Sequence, residues 1–333
     1  MGSTENRQWI YARKPEAQMG PEHFELRQGP VPEPQAGEVL VRTSLLSIDP
    51  ASRAWMQAVT YRSMLAPGDV MAGWGVGEVV QSNAEGFARG DLVSGELGWQ
   101  EFVALPASQL DKHDKSRRPE HVLGVLGVTG LTAYFGMLDV GRPRPGETVL
   151  VSGAAGAVGS IAGQIAKIAG CRVIGTTRGG EKCAWLKGEL GFDAAVDYQA
   201  GDLYRRLKAA SPNGVDVYFD NTGGEVLAAA LARMNLFGRV VCCGNVSQYD
   251  TTTPGSGPAG VPGFLVTKRI RMEGFIVMDF YARRAQAEAV LAAWIADGKL
   301  KAPVDVVAGF EQLPAALAGM FAGANRGKRM VRL

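Results

Sequence analysis

The stretch that decides the fold is GETVLVSGAAGAVGSIAGQIAKIAGCRVIGTTRGGEK, residues 146–182. ETVLVSG is a short apolar run that reads as a strand, GAVGSIAGQIAKIAG as a helix, CRVIGTT as a second strand, and the helix EKCAWLKGEL follows. Gly153, Gly156 and Gly159 fall between the first strand and the first helix. There a loop backbone can approach a pyrophosphate and offer N–H groups at a helix N-terminus. Gly-x-x-Gly-x-x-Gly departs from the commoner Gly-x-Gly-x-x-Gly, and alone it would fit any tight strand-to-helix turn. The flanking strand, helix and strand make it a dinucleotide cradle.

Downstream the alternation continues through DAAVDY, DLYRRLKAA, VDVYFDN, EVLAAALARM and GRVVCCG. That pattern predicts an α/β fold, a doubly wound parallel sheet with helices on both faces. Upstream, residues 7 to about 110 read as short alternating runs such as GEVLVRTSLLSI and VGEVVQS, broken by Pro and Gly clusters, and predict an all-β half. The grammar changes near residue 123. After the helical ARRAQAEAVLAAWIADGKL, the tail mixes strand, helix and strand and is expected to rejoin the β half. TTTPGSGPAGVPGF, residues 251–264, carries too much Pro and Gly for regular structure and reads as a loop near the active site or an interface.

A chain of 333 residues is long enough for two domains. Lys and Arg number 35 against 33 Asp and Glu, a formal charge of +2 that disfavours nucleic acid and anionic membrane and favours small-molecule partners. With 46% hydrophobic and 20% charged residues the chain should fold on its own. No apolar leader and no run of about 18 apolar residues occurs, so a soluble cytoplasmic protein is expected. Cys171, Cys183, Cys242 and Cys243 show no C-x-x-C spacing and read as reduced thiols; Cys242 and Cys243, adjacent in a strand, should point to opposite faces.

An NAD binder carries an acid near the end of the second strand, about 20 residues past the glycines, to accept hydrogen bonds from the adenosine ribose. Here the region is Thr176, Thr177 and Arg178. A carboxylate would repel a 2′-phosphate, whereas Arg178 can grip it bidentately and Lys182 can add a point charge from the next helix. NADP is therefore the expected cofactor, unless the two basic residues are ordinary solvated charges.

Several stretches together resemble the zinc-independent medium-chain dehydrogenase/reductases, in the branch of alkenal, prostaglandin and curcumin reductases. They are LSIDPASR, GVLGVTGLTAYFGMLDVG, residues 146–177, GGEKCAWLKGELGFDAAVDY, YFDNTGGE, CCGNVSQY, KRIRMEGFIV and GANRGK. The resemblance spans nearly the whole chain and is similar in detail to bacterial curcumin-reductase-like members. It implies a GroES-like β-rich catalytic domain over residues 1–122, a Rossmann NADP-binding domain over 123–302, and a return of 303–333 to the catalytic domain. It also implies a homodimer that reduces the carbon–carbon double bond of α,β-unsaturated ketones and aldehydes with NADPH. Cofactor contacts implied by it fall on Ala155, Gly156, Val158, Lys182, Tyr198, Asn221 and Asn325, with Cys243, Gly244 and the strand around Phe275 near the nicotinamide, beside the loop glycine Gly159 read above. Zinc-dependent relatives carry a Gly-His-Glu ligand motif and a four-cysteine lobe; GWGVGEVV has no histidine and the first half no clustered cysteines, so no metal site is expected. His23, His113 and His121 read as dispersed surface histidines.

Enone reduction needs a hydride at the β-carbon, a donor to the enolate oxygen and a proton for the α-carbon. Members similar to this chain place a tyrosine where AVTYRSM has Tyr61, the first choice as donor, with Tyr249 in NVSQYD as the alternative. LSIDPASR departs from the family at Ala51 and Ser52, which leaves the pocket's shape open. An NADPH quinone reductase shares fold and cofactor and is the competing activity, and a non-catalytic NADPH-binding sensor is the second alternative.

Overall fold

The computed structural model describes residues 5–16, 18–251 and 257–333. In the first half lie β1 (Glu5–Tyr11), β2 (Phe24–Pro30), β3 (Glu38–Ser47), β4 (Trp74–Ser82), β5 (Leu92–Glu96), β6 (Phe102–Pro106) and β7 (Asp111–His113). Six strands follow, β8 (Thr148–Val151), β9 (Arg172–Thr177), β10 (Ala194–Asp197), β11 (Val215–Asp220), β12 (Met234–Cys242) and β13 (Arg271–Gly274), and the chain ends with β14 (Val304–Ala308) and β15 (Lys328–Arg332).

The six middle strands make one parallel sheet in the order β10-β9-β8-β11-β12-β13. Alternation along each strand sends side chains to two cores. Val149, Val151, Val217, Phe219 and Val241 enter one cluster, and Leu150, Ile174, Tyr218 and Val240 the other. Helices Ala157–Ile168, Gly180–Leu190, Leu203–Ala210 and Gly224–Arg233 connect successive strands. Burial of each large aliphatic side chain contributes about 1.5–3 kcal/mol. The order of connection reverses between β8 and β11, so their carboxyl ends open a crevice, the place where such sheets take ligands.

The other large sheet has the order β14-β15-β3-β4-β5-β7, with β6 also on β3. β15 runs antiparallel to β3, Met330 opposite Ser47 and Val331 opposite Leu46, and parallel to β14. β1 and β2 form a separate antiparallel pair. A backbone link joins the two halves beside their sheets: Gly327 N–H donates to Ala155 O at 2.8 Å, next to a Gly156–Gly327 bridge. Gly327 has φ +72°, and a Cβ there would lie 2.3 Å from Pro303 O, so only glycine makes that approach.

Two expectations need correction. Part of 251–264 is helical: Val261–Lys268 forms a helix with Pro262 in its first turn, where a missing N–H costs no intrahelical bond. Residues 252–256 of that stretch lie outside the described residues. His23 is buried, 8% exposed, because its Nδ1 accepts the Gly20 N–H at 3.1 Å and closes a short turn. Among the described residues no helix is long and apolar enough to cross a membrane.

Candidate active site

At the end of β8 the chain turns through Gly153 at φ +57° into the helix Ala157–Ile168. Gly156 caps that helix in an extended conformation with no side-chain cap, so the N–H groups of its first turn have no partner within the helix. A Cβ on Gly159 would lie 2.4 Å from Gly153 O, and one on Gly156 3.1 Å from the same oxygen. Glycine at these positions lets the helix press onto the loop and leaves a bare backbone cradle. Ala154 N–H donates to Thr176 O at 3.0 Å, which ties the cradle to the end of β9.

A cavity of about 960 Å³ opens just past the end of β11, walled by Arg178, Tyr198, Thr222, Ser247, Asp250 and Gly323 among others. That volume suits a dinucleotide. At its outer end Lys182 Nζ donates to Gly323 O at 2.9 Å and Arg178 Nη1 to Ala322 O. Desolvation, together with the nearby charges of Arg178, Arg326 and Arg329, holds the Lys182 pKa below the ordinary lysine value. Thr176 Oγ1 and Arg178 Nε are buried without a hydrogen-bond partner among the described residues. Cations crowded at one spot and two orphaned polar atoms fit an anionic, hydroxyl-rich ligand. Tyr198 adds its backbone N–H to Thr177 O at 3.1 Å, fixing that wall.

At the inner end the sheet is organised by Asp220. Its Oδ1 accepts from Ser152 Oγ (3.0 Å), Tyr218 Oη (2.7 Å), Thr222 N (2.9 Å) and Gly223 N (2.9 Å). Its carbonyl accepts from the N–H groups of Cys243 and Gly244, at 2.9 and 3.1 Å. Asn221 Nδ2 donates to Ser152 O at 2.7 Å, so the ends of β8, β11 and β12 are held together. Cys242 packs in one core and Cys243 in the other, on opposite faces of the sheet, and burial pushes their thiols up to about 11 and 12. Neither is a thiolate at neutral pH.

A second cavity of about 570 Å³ is walled by Asp49, Trp55, Tyr61, Trp74, Leu131 and Lys328 among others. Tyr61 stands at its mouth, 55% exposed, edge-on to Trp55 with ring centroids 6.4 Å apart. Desolvation raises the Tyr61 pKa above the ordinary tyrosine value, and Asp49 and the phenol of Tyr249 add to the rise. The phenol is therefore protonated, and a donor, at neutral pH. The Lys328 ammonium, buried at 2% exposure, bonds Asp49 Oδ1, and Ser47 Oγ bonds Asp49 Oδ2.

The residues singled out in the sequence are distributed as follows. Ala155, Gly156, Val158 and Gly159 form the cradle; Thr177, Arg178, Lys182 and Tyr198 gather at the outer end; and Asn221, Cys243 and Gly244 gather at the inner end. Asn325 lies beside the cradle, its Nδ2 donating to Gly327 O at 2.9 Å. Tyr61 walls the second cavity, and Tyr249 folds back so that its Oη accepts the Asn245 N–H at 3.2 Å. The Phe275 ring packs inward, against Gly136 and edge-on to Phe280 at 6.2 Å, and lines neither cavity. Sequence reading assigned no role to Asp49, Asp220 or Lys328. For Asp220 a signal existed: an Asp before Asn-Thr-Gly-Gly suits a turn in which its side chain accepts the N–H groups two and three residues on.

Comparison with known proteins adds the following. Residues 7–113 match the family model for the N-terminal domain of oxidoreductase, and residues 157–296 that for zinc-binding dehydrogenase. The NADPH-dependent curcumin reductase of Escherichia coli is 39% identical over 98% of this chain and 97% of its own. The NADP(+)-dependent 2-alkenal reductase of Nicotiana tabacum is 42% identical over 89% of this chain and 87% of its own. The crystal structure of CurA in complex with NADPH from Vibrio vulnificus superposes with a TM-score of 0.93 at 38% identity, covering 98% of each chain.

Proposed function

The chain belongs to the zinc-independent medium-chain dehydrogenase/reductases, in the branch of NADP-dependent alkenal, prostaglandin and curcumin reductases, and we propose on that premise that it reduces the carbon–carbon double bond of α,β-unsaturated ketones and aldehydes with NADPH. One observation carries the reading: Arg178 and Lys182 meet at a dinucleotide-sized cavity just past the end of β11, and a second cavity holds Trp55, Trp74 and the phenol of Tyr61, held protonated.

The cradle residues Ala155, Gly156, Val158 and Gly159, with Asn221 and Asn325, hold the cofactor. Thr177, Arg178, Lys182 and Tyr198 hold its adenosine end, and Cys243, Gly244 and the backbone at Phe275 border the nicotinamide. When bound, NADPH supplies the hydride for the β-carbon. Trp55, Trp74 and Leu131 exclude water and orient the flat conjugated substrate by contact. Tyr61 donates to the carbonyl oxygen as it takes on enolate charge; Tyr249 is the alternative donor. A preorganised donor contributes about 3–4 kcal/mol to the barrier difference in a dry site, and Tyr61, half-exposed at the cavity mouth, reaches that strength once bound substrate excludes water from it. Tyr61→Phe is accordingly expected to lower kcat by about 100-fold with NADPH affinity unchanged; an unchanged kcat transfers the role to Tyr249 or to the cofactor's ribose hydroxyl.

Lys182 gives the cofactor preference a pH dependence. Only its protonated form attracts a 2′-phosphate, which is dianionic above a pH of about 6. Because its pKa is lowered, it loses its proton at a pH below the ordinary lysine range. NADPH affinity should therefore weaken as pH rises through that lowered value, with NADH affinity flat. Parallel cofactor titrations at a series of alkaline pH values check this, and a flat NADPH curve removes Lys182 from the phosphate.

The chain divides near residues 122 and 302, with 303–333 in the catalytic half; the pairing of β14 and β15 into the sheet of β3 supports that division. The protein is a cytoplasmic homodimer. Supporting this are the free cysteines and the outer edge of β13, which pairs only with β12 among the described residues, together with exposed Ile276 and Met278 just beyond it. The deciding assay follows NADPH and NADH oxidation against aliphatic enals, aryl enones and quinones, with product analysis. A saturated carbon–carbon bond with NADPH preferred supports the reading. Quinone turnover alone replaces it with a quinone reductase, and tight NADPH binding without turnover with a sensor.

A further inference from the structure

The two phenols stand on different halves of the molecule. Tyr61 follows the short helix Ala51–Trp55 of the β half, and Tyr249 belongs to the loop that leaves β12 of the parallel sheet. Their relative position depends on what ties that loop to that helix. The tie is Arg53, fully buried at 0% exposure, whose Nε donates to Asp250 Oδ1 at 3.0 Å across 197 residues of sequence. The same carboxylate oxygen accepts the Met19 N–H at 3.0 Å, and Arg53 Nη2 reaches Pro15 O at 3.4 Å. One helical turn along, Gln57 Nε2 donates to Thr251 O at 3.3 Å.

Three chain segments therefore meet on one ion pair, and Asp250 is the residue next to Tyr249. Separating the halves here would strand a guanidinium in the interior, which makes the contact all-or-none. We propose that the Arg53–Asp250 pair is a register pin between the two halves, fixing Tyr249 against Tyr61 so that both phenols face one substrate. Arg53 lines neither cavity, and Asp250, although it walls the larger one, has its Oδ1 engaged by Arg53 and by the Met19 N–H. They are positioning residues, acting on turnover through the phenols. The proposal rests on the reading that a phenol serves the enone oxygen.

The test is non-additivity. Asp250→Asn keeps the size of the side chain and an acceptor for Met19 but removes the charge. In the full enzyme it should lower enone kcat about tenfold, whereas in a Tyr61→Phe, Tyr249→Phe background it should change the residual kcat less than about twofold. Arg53→Lys, which keeps both charges and loosens only the geometry at a residue outside both cavities, should show the same pattern with NADPH affinity changed less than about twofold, and covers the case in which Asp250→Asn does not fold. An equal kcat loss in both backgrounds, or none in the full enzyme, overturns the pin while leaving the phenols' role intact. Wild-type kcat in the double phenylalanine variant overturns the phenol reading, and the pin falls with it.

Discussion

Asp220→Ala is expected to lower the thermal midpoint by about 10 °C and to weaken NADPH binding as well. Four donors converge on one oxygen of this carboxylate, two of them hydroxyls that can rotate to new partners and two of them backbone N–H groups of the turn Thr222–Gly223 that cannot. Asp220 is buried at 3% exposure, so water does not readily replace the lost acceptor. A buried orphaned donor costs about 1–3 kcal/mol, so the two fixed ones together with the disturbed network amount to about 4 kcal/mol. For a domain of this size each kcal/mol is worth about 2–4 °C. Cofactor affinity falls too, because Asn221 and Cys243–Gly244 are positioned through the same residue. Asp220→Asn, which keeps the oxygen and loses the charge, should fall between the two. Calorimetry with and without NADPH measures both effects; an alanine variant melting within about 2 °C of the parent would show that the turn satisfies itself by other means.

Arg178→Ala combined with Lys182→Ala should raise the NADPH Michaelis constant by about 100-fold and leave that for NADH within about twofold. Each charge-assisted contact to a phosphate is worth about 1.5–3 kcal/mol, and two of them lost together give at least tenfold even at the low end of partial exposure. The control is internal: NADH differs only at the adenosine ribose, so damage to the cradle would strike both cofactors. Equal losses would place the pair away from the 2′-phosphate. A selective loss would also explain why Lys182 tolerates a cluster of like charge around it. Its discomfort without ligand becomes discrimination once a dianion arrives.

The parallel sheet was legible because all its strands but the edge strand β13, Arg-Met-Glu-Gly, contain a short apolar run between helices, and because the glycines at 153, 156 and 159 lie where a strand must hand over to a helix. The β half was legible in class but not strand by strand. β7 has three residues and β5 five, too short for a period of two to declare itself. The helix Val261–Lys268 was hidden behind Pro262, which breaks helices inside but starts them well. At the site, residues whose chemistry depends on backbone position could be read from motif spacing. Those whose role depends on a distant partner could not. Arg53 and Asp250, or Asp49 and Lys328, are separated by some two to three hundred positions, and nothing local in either member announces the other.

The pairing of β3 with β15 also sets the order in which the molecule can be completed. Leu45 and Leu46 are wholly buried, yet the strand that covers them begins at Lys328. At about 5–20 residues per second, some 15–60 s of translation separate the two. Throughout that interval the nascent β half carries an unfinished apolar edge, while the parallel sheet behind it can already close. The amino-terminal half is made first and finished last, and its final seam is sewn onto the loop that cradles the cofactor.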